Sequence, residues 1–179
     1  MRRLMVVMAA FAAAAGVNTG SVWLQQRTGF LTRCFGARGW YVHLAMVLPA
    51  WMGAVLLLPV LDRSVRWPLP DAVRPIGTPV LAGAALLWLA AYTDLGWERT
   101  GNGNFFGHSS QEPVTTGVYR FRANPMYDGY VLALVGVALR SANAAYLLIA
   151  AEAALLLYGF EAPVENRPFE RSGTRGVTR

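Results

Sequence analysis

The sequence has 179 residues, of which 55% are hydrophobic and only 15% are charged. This composition excludes an ordinary soluble domain of that size and predicts a membrane protein. All 16 basic residues are arginines, and the net charge is +6. Because the arginines are scattered between apolar runs, they favour orientation in a bilayer and argue against a nucleic-acid partner. One cysteine and two distant histidines exclude a disulfide framework and predict no metal site.

Three long runs without a charged residue predict membrane-spanning helices, at residues 4–26, 39–61 and 75–93. At about 1.5 Å per residue, each is long enough for a hydrocarbon core of roughly 30 Å. The first run follows Arg2 and Arg3 and so resembles a secretory signal. Because it continues uncharged through Gln26, we expect a retained helix.

Two further runs, at residues 125–139 and 143–160, are separated by a short turn and predict a helical hairpin. The predicted fold class is therefore an all-α polytopic membrane protein of about five spans, forming one domain over residues 1–179. Glu152 lies in the middle of the fifth span. An ionisable group there is a candidate functional residue, but without a visible partner we favour a structural role.

The arginines divide unevenly between the two sides that five spans define. Ten lie on the side of the loop 94–124 and the tail 161–179, and six lie on the other side. The positive-inside rule places the richer side in the cytosol. We therefore expect the loop and the tail to be cytosolic, in the inner membrane of a bacterium.

The segment from Thr100 to Tyr130 is the only long stretch rich in glycine and polar residues, and loops of this length usually serve a function. Within it, Asn124 and Pro125 are typical of a capped helix start. The helix from Pro125 to Leu139 measures about 22 Å, shorter than the hydrocarbon core. Its N-terminus is expected just below the surface, where it favours an anionic group. Small residues provide close helix packing, at Gly129, Ala133 and Gly136.

Two carboxylates follow the hairpin. Glu161 and Glu165 are four residues apart and share a helix face if the helix continues, although Pro163 argues against continuation. The residues leave two interpretations open. The pair either holds a cationic ligand or ribose hydroxyls beside a recess, or it is solvated at a helix end.

Several of these features occur in the order found in a known family. The run GVYRFRANPMYDGY, the apolar hairpin and then LYGFEAPVE resemble the integral-membrane methyltransferases, which include isoprenylcysteine carboxyl methyltransferases and phospholipid methyltransferases. The NPMY run, GNFFG at 103–107 and EAPV at 161–164 favour phosphatidylethanolamine N-methyltransferase. The resemblance covers about residues 95–170.

The resemblance implies methyl transfer from S-adenosylmethionine to a lipid amine. It implies cofactor-binding roles for eight residues: Gly101, Gly103, Tyr119, Asn124, Pro125, Tyr127, Glu161 and Glu165. Tyr127 or Glu161 would accept the proton, and Arg122 would orient the substrate if the acceptor were instead an anionic carboxylate or thiolate. Two positions depart from the family pattern, because Ala123 and Ala162 stand where the family has charged residues. Arg122 and Glu165 are the candidates to supply those charges.

Three alternatives stay open at the level of sequence. The same family shape suits methylation of the carboxylate or thiol of a prenylated or small hydrophobic substrate. A sterol-reductase-like enzyme that uses NADPH carries a similar Arg-x-Pro-x-Tyr-x-Gly pattern. A non-enzymatic membrane subunit explains Asn124-Pro125 as a cap and the tyrosines as interfacial anchors. The sequence leaves two roles open for His108, a residue of the loop surface or a base on the substrate side. It does not predict the oligomeric state.

Overall fold

The computed structural model describes residues 1–166, apart from the side chains of residues 62–64. The described residues form helices and loops, with no strand. The expected tail 161–179 is therefore described only as far as Asn166, and residues 167–179 lie outside it. The main helices are α1 (Arg2–Thr28), α2 (Phe30–Phe35), α3 (Gly39–Leu56), α4 (Pro59–Ser64), α5 (Arg74–Leu95), α6 (Trp97–Thr100), α7 (Pro125–Ser141) and α8 (Ala145–Leu156).

Four helical segments are long and apolar enough to cross a membrane: Arg2–Thr28, Phe30–Leu61, Asp71–Leu95 and Ala145–Asn166. The remaining expected span is α7, which has 17 residues and therefore a length of about 25 Å. The prediction of an all-α polytopic membrane protein is confirmed. The predicted count of five membrane spans is approximate, because α7, which the sequence indicated to be short, is not among the four long apolar segments.

Helices α5 and α7 pack antiparallel and closely, because glycines remove side chains from their contact. A Cβ atom at Gly77 would meet the backbone of Arg140. A Cβ at Gly136 would lie 2.7 Å from Leu81, and one at Gly129 would lie 3.2 Å from Trp88. The predicted close packing at Gly129 and Gly136 is confirmed. Small residues provide this contact because lipid tails supply no hydrophobic force between helices.

The turn between α7 and α8 is fixed by one buried asparagine. The Asn143 amide donates to the carbonyl of Val65 at 2.9 Å, and its oxygen accepts from the backbone N–H of Trp67 at 3.2 Å. Ala142 adopts a left-handed conformation with φ of 51°. The hairpin turn is thus tied to the segment that joins α4 to α5. The long loop and the C-terminal end of α8 lie at the opposite end of the bundle.

The last helix continues past Pro163. A π-helical turn at Leu157–Glu161 follows α8, and α-helical residues extend from there to Asn166. Proline lacks an N–H and its ring crowds the carbonyl four residues earlier, here that of Gly159. The wider turn immediately before Pro163 accommodates both effects. The sequence left continuation past Pro163 open, and in the structure Glu161 and Glu165 belong to one continuous helix.

The α5–α7 contact gives a stability prediction with a matched control. We expect Gly77→Ala to lower the free energy of unfolding by about 1–3 kcal/mol, because its methyl group overlaps the backbone of Arg140. Gly83 lies on the same helix with nothing within 4 Å of a Cβ. Gly83→Ala should raise stability by up to about 1 kcal/mol. Thermal unfolding of both variants in detergent checks this, and equal melting temperatures would contradict the packing.

Candidate active site

Polar side chains from distant parts of the chain converge at the loop end of the bundle. They come from the second half of α1, the start of α3, the loop after α6, the first turn of α7 and the end of α8. Gln26 ties the end of α1 to the end of α8, since its amide donates to the carbonyl of Val164 at 3.0 Å. The end of α8 is therefore enclosed by the protein at this point.

Tyr127, Glu161 and Glu165 form the centre of this cluster. The Tyr127 hydroxyl donates to Glu165 Oε2 at 2.6 Å. Its ring packs against Leu157 and Ala162. Glu161 is only 3% exposed. The structure thus brings together three predicted site residues, and Ala162 provides a small surface against which the Tyr127 ring lies.

The two oxygens of Glu161 have different surroundings. Oε2 accepts a hydrogen bond from Asn18 Nδ2 at 3.1 Å. Oε1 is buried and has no hydrogen-bond partner within the described structure. Buried polar atoms are almost always hydrogen-bonded, so an unpartnered carboxylate oxygen indicates a place for a ligand or an ordered water.

Asn18 belongs to a buried network that the sequence analysis missed. Asn102 Nδ2 donates to Asn18 Oδ1 at 2.9 Å and lies 3.5 Å from His43 Nε2. His43 Nδ1 is 2.9 Å from Ser21 Oγ. The available signal was a polar residue inside an apolar span, a feature that Asn18 and His43 share with Glu152.

The glycines of the loop have a packing role. Trp40 Nε1 donates to the carbonyl of Gly101 at 2.7 Å, and a Cβ at Gly101 would lie 2.9 Å from Leu44. A Cβ at Gly103 would lie 2.6 Å from the carbonyl oxygen of Glu98. The loop therefore lies tightly on α3 and α6. A role of Gly101 and Gly103 in cofactor binding stays a prediction.

Helix α7 begins at Pro125, as the sequence predicts. Asn124 occupies the capping position, but its side chain makes no capping hydrogen bond, so that expectation is wrong. Its carbonyl instead accepts from the backbone N–H groups of Tyr127 and Asp128, at 3.1 and 3.2 Å. The Asn124 side chain is thus left out of the helix cap.

Arg122 lies outside the cluster of Tyr127, Glu161 and Glu165. Its guanidinium donates two hydrogen bonds to Asp128, each 2.8 Å long, and Tyr158 donates to the same carboxylate at 2.6 Å. The hydrogen bonds that Arg122 donates to Asp128 raise the pKa of Arg122, whose side chain is 64% exposed. The group borders a surface recess of about 230 Å³ lined by Phe121, Arg122, Ala123, Asn124, Asp128 and Tyr158. Arg122 therefore pairs with Asp128, whereas Glu165 does lie beside Glu161 as expected.

Tyr119 is held near the cluster by a tight turn. Gly117 has φ of 54°, and the next residue, Val118, donates its N–H to Asp94 Oδ2 at 2.8 Å. Burial raises the pKa of Tyr119 to about 12, with nearby Arg99 opposing the shift and Glu165 adding to it. The Tyr119 phenol is therefore neutral at physiological pH.

The other two titratable candidates, His108 and Glu152, lie apart from Glu161 and Glu165. The His108 ring lies tilted against the Trp40 ring with centroids 4.6 Å apart, and its Nε2 is 3.3 Å from the carbonyl of Ala37. These contacts favour a loop-surface role for His108. Glu152 lies on α8 more than two turns before Glu161, and its buried Oε2 has no partner among the described residues.

The turn that carries Tyr119 yields a test. Gly117→Ala and Gly107→Ala both impose a side chain on a left-handed backbone, at about 1–2 kcal/mol each. Only at position 117 does the new methyl group also overlap a carboxylate, that of Asp94, whereas Gly107 has open space. We expect Gly117→Ala to melt at a clearly lower temperature than Gly107→Ala. Equal melting temperatures would show that Asp94 does not hold this turn.

Comparison with known proteins indicates one enzyme family. A family model described as phospholipid methyltransferase matches residues 73–172. Phosphatidylethanolamine N-methyltransferase B of Dictyostelium discoideum is 28% identical over 122 residues, which is 65% of this chain and 60% of that protein. The chain thus spans less than two thirds of that relative's length.

A second relative is aligned over more of its length. Phosphatidyl-N-methylethanolamine N-methyltransferase of Emericella nidulans is 34% identical over 155 residues, covering 81% of this chain and 72% of that protein. No solved structure matches. The resemblance predicted from the motifs is confirmed by a family match over more than half of the chain. The chain belongs to the phospholipid methyltransferase family.

Proposed function

We propose that this protein transfers methyl groups from S-adenosylmethionine to the amine headgroup of a membrane phospholipid, phosphatidylethanolamine or its partly methylated forms. The observation that carries the proposal is Glu161, a buried carboxylate with one unpartnered oxygen and with Glu165 in the next turn. Both the sulfonium donor and the ammonium form of the headgroup are cations, and paired carboxylates favour cations. The names of both relatives indicate an ethanolamine headgroup as the class of acceptor.

The proposed cofactor site uses the residues expected from the sequence. Glu161 and Glu165 supply negative charge, and Tyr127 holds Glu165 through its 2.6 Å hydrogen bond. Tyr119 adds a neutral phenol near the same acids. The other proposed contacts lie in the loop and at the start of α7: Gly101, Gly103, Asn124 and Pro125. The orphaned Oε1 of Glu161 is the atom that fits a ligand here.

The chemistry requires a neutral amine. When bound, S-adenosylmethionine supplies an electrophilic methyl group, so that the amine lone pair forms the N–C bond while the S–C electron pair stays on sulfur. Glu161 Oε1 is positioned to accept the proton that the ammonium loses, because no protein donor occupies it. Tyr127 already donates to Glu165, so its role is to orient that carboxylate. Alignment in an enclosed site supplies most of the remaining acceleration.

The alternatives have less support. An anionic carboxylate or thiolate substrate would be repelled by two acids, and the arginine expected to orient it is paired with Asp128. The NADPH-dependent reductase and the non-enzymatic subunit lack the family match that supports a methyltransferase. We therefore keep the lipid amine as the acceptor.

We propose that residues 1–179 form one membrane domain with its site facing the cytosol. In the described chain each end of the bundle carries six arginines. The excess at the site end comes from Arg167, Arg171, Arg175 and Arg179, which lie outside the described residues. The positive-inside rule then supports a cytosolic site. The bacterial inner membrane is our expectation for its location, although both relatives are eukaryotic.

Glu161→Gln tests the site, because it keeps the side-chain shape and removes the charge. We expect the affinity for S-adenosylmethionine to fall at least about tenfold with an unchanged melting temperature, since charge-assisted contacts are the strong ones. Glu152→Gln is the matched control, an acid of the same helix away from the cluster. Calorimetric titration in detergent measures both, and equal affinities of Glu161→Gln and the wild type would contradict the assignment.

The acceptor is tested on lipids. Membranes of cells that express the chain should contain monomethylated, dimethylated or trimethylated ethanolamine headgroups, separated by chromatography and identified by mass. The Glu161→Gln variant should not produce them. Cofactor binding without any methylated headgroup would refute the lipid amine as acceptor while leaving the cofactor site in place.

A further inference from the structure

A continuous row of polar side chains, buried except for the half-buried Ser21, links the first half of the chain to Glu161. It runs from Ser21 through His43, Asn102 and Asn18 to the Glu161 carboxylate, with heavy-atom separations between 2.9 and 3.5 Å. His43 is fully buried, and Asn18 is 6% exposed. We call these four residues, without Glu161, the polar network. Two of its helices, α1 and α3, precede the residues matched by the family model.

The hydrogen bonds of the polar network have one consistent direction. Asn102 Nδ2 carries two N–H groups, which point to Asn18 Oδ1 and to His43 Nε2. His43 Nε2 is then an acceptor, so the ring proton lies on Nδ1 and is donated to Ser21 Oγ at 2.9 Å. The Ser21 hydroxyl donates in turn to the carbonyl of Val17 at 2.7 Å. Every donor thus has an acceptor.

This direction fixes the orientation of the Asn18 amide. Its oxygen is used by Asn102, so its Nδ2 must face Glu161 and donate to Oε2. The carboxylate is held by one oxygen, and the other is left without a partner. No member of the polar network is a cation in this arrangement. The network therefore orients the Glu161 carboxylate without neutralising it.

In a purely structural network, the polar atoms would all have hydrogen-bond partners, as those of the Asn143 side chain do at the other end of the bundle. Here the buried atom without a hydrogen-bond partner is Oε1 of Glu161, at the end of the row, and Glu161 is the residue assigned to the cofactor and substrate. We propose that Asn18, Asn102 and His43 are positioning residues of the active site. They present Glu161 Oε1 to the cationic cofactor, so α1 and α3 take part in the site. This inference rests on the proposed function.

The sharpest variant is Asn18→Asp, which is isosteric and replaces the donor facing Glu161 by an acceptor. We expect KM and Kd for S-adenosylmethionine to rise at least tenfold, while KM for the lipid changes little; the melting temperature should fall, because a second buried carboxylate then faces Glu161. Thr19→Val is the control on the neighbouring residue of α1, because the Thr19 hydroxyl is buried without a partner. It should leave both constants unchanged. An equal rise of both KM values in Asn18→Asp would show a merely structural role and overturn the proposal.

His43 provides a conservative rescue. A glutamine at position 43 places an oxygen acceptor where Nε2 lies, so His43→Gln keeps the contact from Asn102, whereas His43→Leu removes it. We expect cofactor affinity near that of the wild type for His43→Gln and at least a severalfold loss for His43→Leu. Equal damage by both variants would contradict the directed network.

A readout without cofactor or turnover separates this inference from the proposed function. Histidine ¹⁵N NMR of the ligand-free protein should show a neutral His43 ring with the proton on Nδ1, and Asn102→Asp should change that signal. A proton on Nε2 in the wild type would overturn the network. If the wild type binds neither S-adenosylmethionine nor S-adenosylhomocysteine, the proposed function fails and the positioning role fails with it. Normal binding by both the wild type and Asn18→Asp refutes the positioning role alone.

Discussion

The hydrogen bond between Asn18 and Glu161 joins the first helix of the chain to the last, across 143 positions of sequence. Around it lie the loop residue Asn102, the α3 residue His43 and the Glu165–Tyr127 pair. In a low-dielectric environment an acid is retained only where its polar atoms have partners or a ligand to meet. The packing of α1, α3, α7 and α8 at this end of the bundle therefore depends on accommodating one buried carboxylate.

Two backbone features allow that carboxylate to be placed. The π-helical turn at Leu157–Glu161 lets the helix continue through Pro163, so that Glu165 follows Glu161 on the same helix. The glycine contacts between α5 and α7 hold the short α7 against a longer neighbour, with Tyr127 in its first turn. A long apolar helix at this position would carry Tyr127 further from the membrane core. The short length of α7 and its close packing on α5 together bring the Tyr127 hydroxyl to Glu165.

A site at the end of a membrane bundle suits reactants from two phases. With the proposed function, a water-soluble cofactor would approach from the aqueous side, whereas a lipid would reach the same depth laterally without leaving the bilayer. The surface recess beside Arg122 and Asp128 adjoins Tyr158, whose ring contacts that of Tyr127 with centroids 5.8 Å apart. The acid pair and the aromatic rings favour cationic groups over anionic ones. This preference is consistent with an amine acceptor.

The sequence by itself determined the class of the protein and its family. Apolar runs longer than a bilayer requires predict an all-α membrane fold, and the start of α7 at Pro125 and the acids after the hairpin are local signals. Only the tertiary structure decided which residues meet. Asn18 contacts Glu161, and His43 contacts Asn102 of the loop, because those contacts depend on how helices far apart in sequence pack. Hydropathy reports which helices are buried in lipid, but it carries no information about which face of α1 or α3 turns towards α8.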